Sequence, residues 1–238
     1  MKHPTFIVFE GASGTGKGTQ IELLANRLEH EGNEVVCVKE PGTTKLGQYL
    51  RELLLHKDEI DICPGSEVLL FMASILQTLR TVIIPALDAG KVVISDRFVY
   101  STLVYQGITG PLGLDAVWKI LHESIDAFQY YWPIVTFILD LDVHEAHQRM
   151  LKRDERIDKR YEGQGIEYQS AIQEGYRLLH RQYVMNSYLI NCGHTSPYKT
   201  IDEIHLEILN DVQNRFPELF GKKDKELQYH AEKSNYDV

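Results

Sequence analysis

The fold of this chain follows from the stretch Phe6-Ile7-Val8-Phe9-Glu10-Gly11-Ala12-Ser13-Gly14-Thr15-Gly16-Lys17. Its first four residues are a continuous apolar run, which is typical of a strand buried on both faces. The remainder has the spacing GxxxxGK and leads into an amphipathic helix predicted over residues 16–30. This is the strand–loop–helix context of a loop that binds nucleotide phosphates. A glycine-rich turn with an incidental lysine is the alternative, and the strand and helix that flank the loop argue against it.

The chemistry of phosphate binding explains the residue types in this loop. Glycines let the backbone curl until consecutive amide N–H groups point at one anion, the helix N-terminus adds its dipole, and Lys17 reaches the β- and γ-phosphates. Gly18 stands where Ser or Thr usually offers a hydroxyl to magnesium, and Thr19 is turned from that direction by about 100°. Mg²⁺ is therefore expected to arrive with the nucleotide. The predicted nucleotide-binding residues of the loop are Gly11, Ala12, Ser13, Gly14, Thr15, Gly16, Lys17, Gly18 and Thr19.

Beyond the loop, short apolar runs alternate with longer helical patterns. Strands are predicted at residues 35–38, 92–94 and 135–139 and, from a weaker pattern, at 198–201; helices are predicted at 44–56, 66–89, 143–154, 165–188 and 203–215, with two more between 97 and 133. The alternation predicts an α/β protein with the three-layer P-loop NTPase fold, a five-stranded parallel sheet with helices on both faces. Ligands of such sheets bind at the carboxyl ends of the strands.

The chain is predicted to form a single domain over residues 1–220. No repeat and no Pro/Gly/Ser-rich linker divides it, and its 238 residues suit one large α/β domain. Residues 221–238 lose apolar periodicity, which indicates a loosely ordered C-terminal tail.

Composition and charge exclude several classes of protein. Twenty-five Lys and Arg against 34 Asp and Glu give a net charge of −9, which argues against nucleic acid or an anionic membrane as a partner. The three cysteines, Cys37, Cys63 and Cys192, lie far apart, so a disulfide scaffold and a structural zinc site are not expected. The N-terminus has no apolar run long enough for a signal peptide, so a cytoplasmic location is expected.

Two charged segments suit a site that handles phosphates. Asp96 and Arg97 follow the third predicted strand, where the arginine can fork onto phosphate oxygens and the carboxylate can orient it or engage metal-bound water. A structural Asp–Arg pair that caps a helix is the alternative. The segment from Arg149 to Glu162 contains six basic and four acidic residues. This segment fits a basic lid over about 149–163, which phosphoryl transfer uses to spread developing charge, although such segments are often only a solvated helix face.

Further blocks occur in an order that resembles the thymidylate kinase family. After the phosphate loop come KEPGTTKLGQYLRELLL from Lys39, SDRFVYSTLVYQG from Ser95, VTFILDLDV from Val135, KRYE from Lys159 and TIDE from Thr200. The resemblance covers about residues 4–215. It implies a P-loop kinase that transfers the γ-phosphoryl group of ATP to the 5′-phosphate of thymidylate (dTMP), depends on magnesium and forms a homodimer.

The resemblance also implies roles for particular residues. The expected catalytic residues are Lys17, Asp96, Arg97, Arg153 and Arg160. The expected substrate-binding residues are Glu40, Pro41, Arg51, Phe71, Arg97, Ser101, Tyr105 and Gln106. Arg149 is expected near the adenine of ATP. No certain protein ligand for magnesium is implied, and Asp96 is the one candidate.

Three positions depart from the family pattern, and all concern the acceptor. Ile75 stands where an arginine usually donates to the thymine O4 carbonyl, Ser13 stands where an acidic residue is common, and Ile108 follows YQG in place of a basic residue. A base carbonyl left without a donor costs on the order of 1–3 kcal/mol. Three hypotheses therefore stay open: a thymidylate kinase, a kinase of another (deoxy)nucleoside monophosphate, and a nucleotide-binding regulator with little catalysis.

Overall fold

The computed structural model describes residues 5–56, 59–126, 135–152, 160–182, 186–195 and 197–221. Its centre is a parallel sheet of five strands in the order β2-β3-β1-β4-β5, which confirms the predicted fold class. The strands are β1 (Thr5–Glu10), β2 (Val35–Lys39), β3 (Val92–Asp96), β4 (Val135–Leu141) and β5 (Ser187–Gly193).

Helices cover both faces of this sheet. They are α1 (Lys17–His30), α2 (Lys45–Arg51), α3 (Pro64–Thr78), α4 (Ile84–Asp88), α5 (Val99–Thr102), α6 (Leu114–Asp126), α7 (Val143–Leu151), α8 (Ile166–Gln182) and α9 (Ile201–Arg215). Turns of π-helix extend α2 over Glu52–His56, join α3 to α4 over Leu79–Ile83 and extend α5 over Leu103–Ile108.

Alternate residues of the central strand face two separate cores, as period-two side-chain geometry requires. Phe6 and Val8 of β1 pack in one core with α3, α6 and α8, and Ile7 and Phe9 pack in the other with α1 and α9. All six residues of β1 are buried, which accounts for its uninterrupted apolar run. The molecule therefore has the expected three layers.

The prediction of the fifth strand was wrong. The strand lies at Ser187–Gly193, and the helix predicted over 165–188 ends at Gln182. Residues 198–200 precede α9, where Thr200 forms a capping box: its hydroxyl accepts from the amide of Glu203, and the Glu203 carboxylate accepts from the amide of Thr200. The aromatic and β-branched residues at 198–201 suggested a strand, but the S/T-x-x-E spacing marks a helix start.

The segment Pro64–Asp88 is long and apolar enough to cross a membrane by length and composition alone. Its residues Val68, Met72, Leu79 and Ile83 belong to the larger of the two cores. Burial of these residues accounts for part of the apolar composition of the segment, since 39% of its most apolar 18-residue window is buried.

The order of the strands determines what can meet at the carboxyl edge of the sheet. Because β1 lies between β3 and β4, the loop after β1 adjoins the residues that follow β3. Phe9 pairs with Asp96 in the parallel register, and the amide of Arg97 donates to the carbonyl of Phe9 at 2.9 Å. The division into a domain over 1–220 and a tail stays a prediction, since residues 222–238 lie outside the described ranges.

Candidate active site

The loop between β1 and α1 has the backbone of an anion cradle. Gly11, Gly14 and Gly16 have φ of 132°, 83° and 97°, values that other residues adopt only with strain. A Cβ atom at Gly14 would lie 2.0 Å from the carbonyl oxygen of Ala146, so only glycine fits between the loop and α7. The Lys17 ammonium donates to two loop carbonyls at 2.9 Å each, which keeps the cation within the curl of the loop.

A cavity of about 720 Å³ lies along the carboxyl edge of the sheet. The predicted site residues that line it are Ser13, Gly14, Thr15, Gly16, Lys17, Gly18, Thr19, Glu40, Pro41, Arg51, Phe71, Asp96, Arg97, Ser101, Tyr105, Gln106 and Arg149. Residues after β2 and β3 lie on one side of the phosphate loop, and Arg149 and Lys199 lie on the other, as the strand order requires. Gly11 and Ala12 do not line the cavity; both are buried, and their carbonyls accept from the Lys17 ammonium.

Arg97 is the centre of a partly buried hydrogen-bond cluster at the end of β3. Its φ is 69°, in the left-handed region. Its Nη1 donates to the carbonyl of Gly11 at 3.1 Å, to Ser101 Oγ at 3.1 Å and to the Tyr176 hydroxyl at 3.0 Å. Burial opposes its charged form, but the surrounding tyrosine hydroxyls and carboxylates raise the pKa of Arg97 well above its ordinary value. The result is a fixed cation, preorganised for a phosphate.

Glu10 holds the partners of Arg97 in place from the end of β1. Its side chain is fully buried. Oε1 accepts from the amides of Phe98 and Ser101 at 2.8 and 3.1 Å, and Oε2 accepts from the hydroxyls of Ser101 and Tyr176 at 2.5 and 3.0 Å. Burial raises the pKa of Glu10, and these hydrogen bonds with the nearby Arg97 charge limit the rise.

The residues after β2 form one wall of the cavity. The peptide between Glu40 and Pro41 is cis. Ser74 donates to Glu40 Oε2 at 2.6 Å, while Oε1 has no hydrogen-bond partner among the described residues. Burial raises the pKa of Glu40 to about 7, although the Ser74 hydrogen bond opposes that rise. Arg51 donates to the carbonyl of Pro41 at 3.1 Å, which keeps its guanidinium at this wall.

Three aromatic rings enclose the part of the cavity near α3. The ring centroids of Phe71 and Tyr161 are 6.2 Å apart, and those of Tyr105 and Tyr161 are 5.5 Å apart in an edge-to-face arrangement. All three residues line the cavity. Aromatic walls suit a flat heterocycle, because base–aromatic stacking contributes about 1–3 kcal/mol per base.

Two of the three departures from the family pattern lie at the cavity. Ile75 is 2% exposed and lines the cavity with a side chain that has no hydrogen-bond donor. Ser13 also lines it, and its hydroxyl accepts from Arg97 Nη2 at 3.4 Å. Ile108 packs instead against the larger core.

The predicted lid residues fall into three situations. Arg149 of α7 lines the cavity and pairs with Glu145 at 2.6 Å. Arg160 does not line it; Arg160 Nη1 lies 3.4 Å from Glu67 Oε2, and Nη2 donates to the carbonyl of Ile60 at 3.1 Å. Arg153 lies outside the described residues. The lid over 149–163 therefore stays a prediction.

The site's donor atoms fit a magnesium ion that is carried by a nucleotide. Asp96 lines the cavity, and its Oδ1 is buried without a hydrogen-bond partner among the described residues. The part of the chain that the structure describes has no group of three or more His, Cys, Asp or Glu that could hold a metal. One carboxylate beside a phosphate loop matches the usual Mg²⁺ site, in which substrate phosphates and water supply the other ligands.

Glu10, Tyr161, Tyr176 and Lys199 are among the residues of this site that the sequence did not predict. Glu10 had a local signal, because a glutamate that ends a buried apolar strand must be paired within the fold. Tyr176 had none, since it is 79 positions from Arg97 in sequence. Tyr161 belongs to the KRYE block, but its place in the aromatic wall follows only from the fold.

Known proteins resemble this chain along most of its length. The family model for thymidylate kinase matches residues 9–204. A thymidylate kinase of Fervidobacterium nodosum is 40% identical over 205 residues, 86% of this chain and 96% of the relative. That of Chlamydia abortus is 35% identical, over 93% and 99% of the two chains.

A comparison with solved structures points to the same family as the sequence comparisons. The crystal structure of thymidylate kinase from Ehrlichia chaffeensis has a TM-score of 0.67 to this chain at 30% identity, covering 88% of this chain and 98% of that one. This structural match accompanies a family-model match over more than half of the residues. The chain therefore belongs to the thymidylate kinase family.

Proposed function

We propose that this chain transfers the γ-phosphoryl group of ATP to the 5′-phosphate of dTMP, giving dTDP and ADP. Membership of the thymidylate kinase family makes it an ATP-dependent phosphotransferase. The observation that carries the proposal is the single cavity in which the phosphate loop, Arg97 and the aromatic wall meet. Phosphoryl transfer needs little covalent chemistry from a protein, so positioning and electrostatic stabilisation are the main contributions required of these residues.

We assign one group of cavity residues to the phosphoryl donor and another group to the acceptor. Lys17 and the loop amides hold the phosphates of ATP, and Arg149 lies near its adenine. Arg97 and Arg51 bind the acceptor phosphate, whose oxygen attacks the γ-phosphorus while ADP leaves. Phe71 and the two tyrosines hold the base and exclude water.

When Mg²⁺ is bound with the nucleotide, it would supply positive charge against the charge that develops on the transferred group. Asp96 is the residue that we assign to its water shell, since its Oδ1 has no other partner among the described residues. Asp96 thus also orients the metal–nucleotide complex beside the loop.

A kinase of another (deoxy)nucleoside monophosphate is the second candidate. Ile75 favours it, because this buried side chain cannot donate to a carbonyl at the cavity wall. A nucleotide-binding regulator is the third candidate, and the ordered cluster around Arg97 argues against it. A protein that only bound ATP would have no use for a preorganised cation on the acceptor side.

The remaining expectations also belong to this proposal. We infer a homodimer in the cytoplasm that binds neither nucleic acid nor membrane. The net charge of −9 supports the absence of polyanion partners.

A coupled assay with ATP and a panel of nucleoside monophosphates tests the proposal. We expect kcat/KM to be highest for dTMP. Higher values for a purine or cytidine monophosphate would establish the second candidate. Tight ATP binding without turnover of any monophosphate would establish the third.

A further inference from the structure

The side-chain amide of Gln106 has its two donor hydrogens engaged. Its Nε2 donates to Glu67 Oε1 at 2.8 Å and to the hydroxyl of Tyr161 at 3.1 Å. Its Oε1 accepts no hydrogen bond from the described residues, although Gln106 lines the cavity and is 4% exposed. The group that Gln106 has left for a ligand is therefore an acceptor.

Glu67 is the neighbour that enforces this orientation. A flipped amide would place Gln106 Oε1 against the Glu67 carboxylate, two acceptors with no proton between them. Tyr161 does not choose between the orientations, because a hydroxyl either accepts or donates. Arg160 Nη1 pairs with the second oxygen of Glu67 at 3.4 Å, which helps to hold the Glu67 carboxylate beside Gln106.

We propose that Glu67 is a positioning residue for base selection: it fixes Gln106 with its oxygen toward the acceptor pocket, so that the pocket prefers a base with an N3–H donor. This rests on the proposed phosphorylation of a nucleoside monophosphate and names how that same site selects its base. Thymine carries a hydrogen at N3, whereas cytosine has a lone pair there. The fixed amide oxygen attracts the first and repels the second.

Ile75 makes the contact between Glu67 and Gln106 more important for base selection in this chain. Ile75 contributes shape to the pocket but no hydrogen bond, so it cannot distinguish the 4-carbonyl of thymine from the 4-amino group of cytosine by donation. Selection between the two pyrimidines then depends on the orientation of Gln106, which in turn depends on Glu67.

The variant Glu67→Gln tests this inference. A glutamine at 67 can present either its oxygen or its NH₂ group, so the amide of Gln106 becomes free to flip. We expect the ratio of kcat/KM for dTMP to that for dCMP to fall about tenfold, as expected for one hydrogen bond. The change should lie in KM for dTMP, with kcat at saturation within about twofold, because Glu67 does not line the cavity.

A merely structural role for Glu67 would raise KM for both nucleotides equally and leave the ratio unchanged, and that result would overturn the inference. Thermal unfolding of the variant verifies that it is folded. Glu174→Gln is the matched control, since Glu174 pairs with Arg181 on the exposed side of α8. Its ratio should equal that of the wild type.

The two proposals fail in different ways. If the wild type phosphorylates dTMP but does not prefer it to dCMP, this inference is overturned and the proposed function stands. If the wild type phosphorylates neither, the proposed function is overturned. The inference is then read from calorimetric binding of dTMP and dCMP, where Glu67→Gln should reduce the dTMP:dCMP affinity ratio and an unchanged ratio contradicts it.

Discussion

Arg97 is held in a conformation that arginine rarely adopts. Its φ of 69° costs on the order of 1–3 kcal/mol and persists because the contacts around it leave no alternative. Those contacts come from β1, α5 and α8: Glu10, Ser101 and Tyr176 form one hydrogen-bond cluster with the guanidinium. The strain is thus concentrated at the residue that we assign to the acceptor phosphate.

Replacement of Arg97 by lysine should lower kcat by about a hundredfold, because a lysine keeps the charge but loses the forked donors. The variant retains a cation beside Glu10, so the midpoint of thermal unfolding should change by only a few degrees. Stopped-time assays at saturating ATP and dTMP measure the effect. Arg181→Lys, on the exposed surface of α8, serves as control, and an equally mild loss in both variants would show that Arg97 does not contact the acceptor phosphate.

Glu40 gives the protein a pH-dependent component of stability. Its pKa is raised to about 7 from the model-peptide value of 4.5, so the folded chain binds more protons than the unfolded chain between these values. The free energy of unfolding therefore falls as the pH rises through this window, by up to about 3 kcal/mol from Glu40 alone.

Replacement of Glu40 by glutamine should remove that component. We expect Glu40→Gln to gain stability relative to wild type when the pH rises from 5 to 8. The difference in the free energy of unfolding, variant minus wild type, should be larger at pH 8 by about 1–3 kcal/mol. Urea unfolding of both proteins at the two pH values measures it. The comparison cancels the contribution of Glu10, whose pKa is also raised. The same difference at both pH values would contradict the account of Glu40.

The backbone of the phosphate loop packs closely against helix α7, and this contact fixes the conformation of the loop. Gly14 lies against α7, with the Ala146 carbonyl so close that a Cβ atom would meet it at 2.0 Å. The loop therefore depends on α7, the helix that also supplies Arg149. Contact between these two elements links the loop that we assign to the ATP phosphates with the base of the predicted lid.

The variant Gly14→Ala should weaken ATP binding by about tenfold or more, because backbone must move to relieve the clash. Gly90→Ala is the matched control: Gly90 also has a positive φ, 74°, but no atom within 4 Å of an added Cβ. Both variants carry the conformational strain of alanine at positive φ, and only one carries the clash. Calorimetric titration with ATP would refute this account if the two variants bound equally well.

Local patterns predicted most of the elements, and the exceptions have physical causes. The apolar runs predicted four of the strands and the GxxxxGK pattern predicted the loop, because each of these patterns is contained within a short segment of the sequence. The fifth strand was missed because Ser187–Gly193 contains few β-branched residues, while Tyr198 and Ile201 resembled a strand beside the helix cap at Thr200.

The sequence could predict those residues of the candidate site that directly follow a strand. Asp96 and Arg97 could be placed beside the loop because parallel strands bring their carboxyl ends to one edge. The partners of Arg97 could not be predicted, since Tyr176 comes from a helix 79 positions away. Arg160 was expected at the phosphates, and the structure places it against Glu67, a contact between segments that no local pattern encodes.

At the scale of the whole molecule, the sheet order brings donor and acceptor residues together. β1 at the centre carries the phosphate loop, and β2 and β3 on one side supply the wall that we assign to the acceptor. On the other side, β4 leads into α7 with Arg149. The cavity along this edge is continuous, so both substrates are expected to occupy it at once. The proposed transfer depends on the claim that donor and acceptor occupy this edge together.

Binding of a bisubstrate compound, in which adenosine and thymidine are joined through their 5′ positions by a chain of phosphates, tests this claim most directly. Isothermal titration calorimetry should give one molecule bound per chain. Prior saturation with either ATP or dTMP should reduce its apparent affinity in proportion to the competitor's concentration. Two molecules per chain, or competition with only one of the two substrates, would contradict a shared cavity for donor and acceptor.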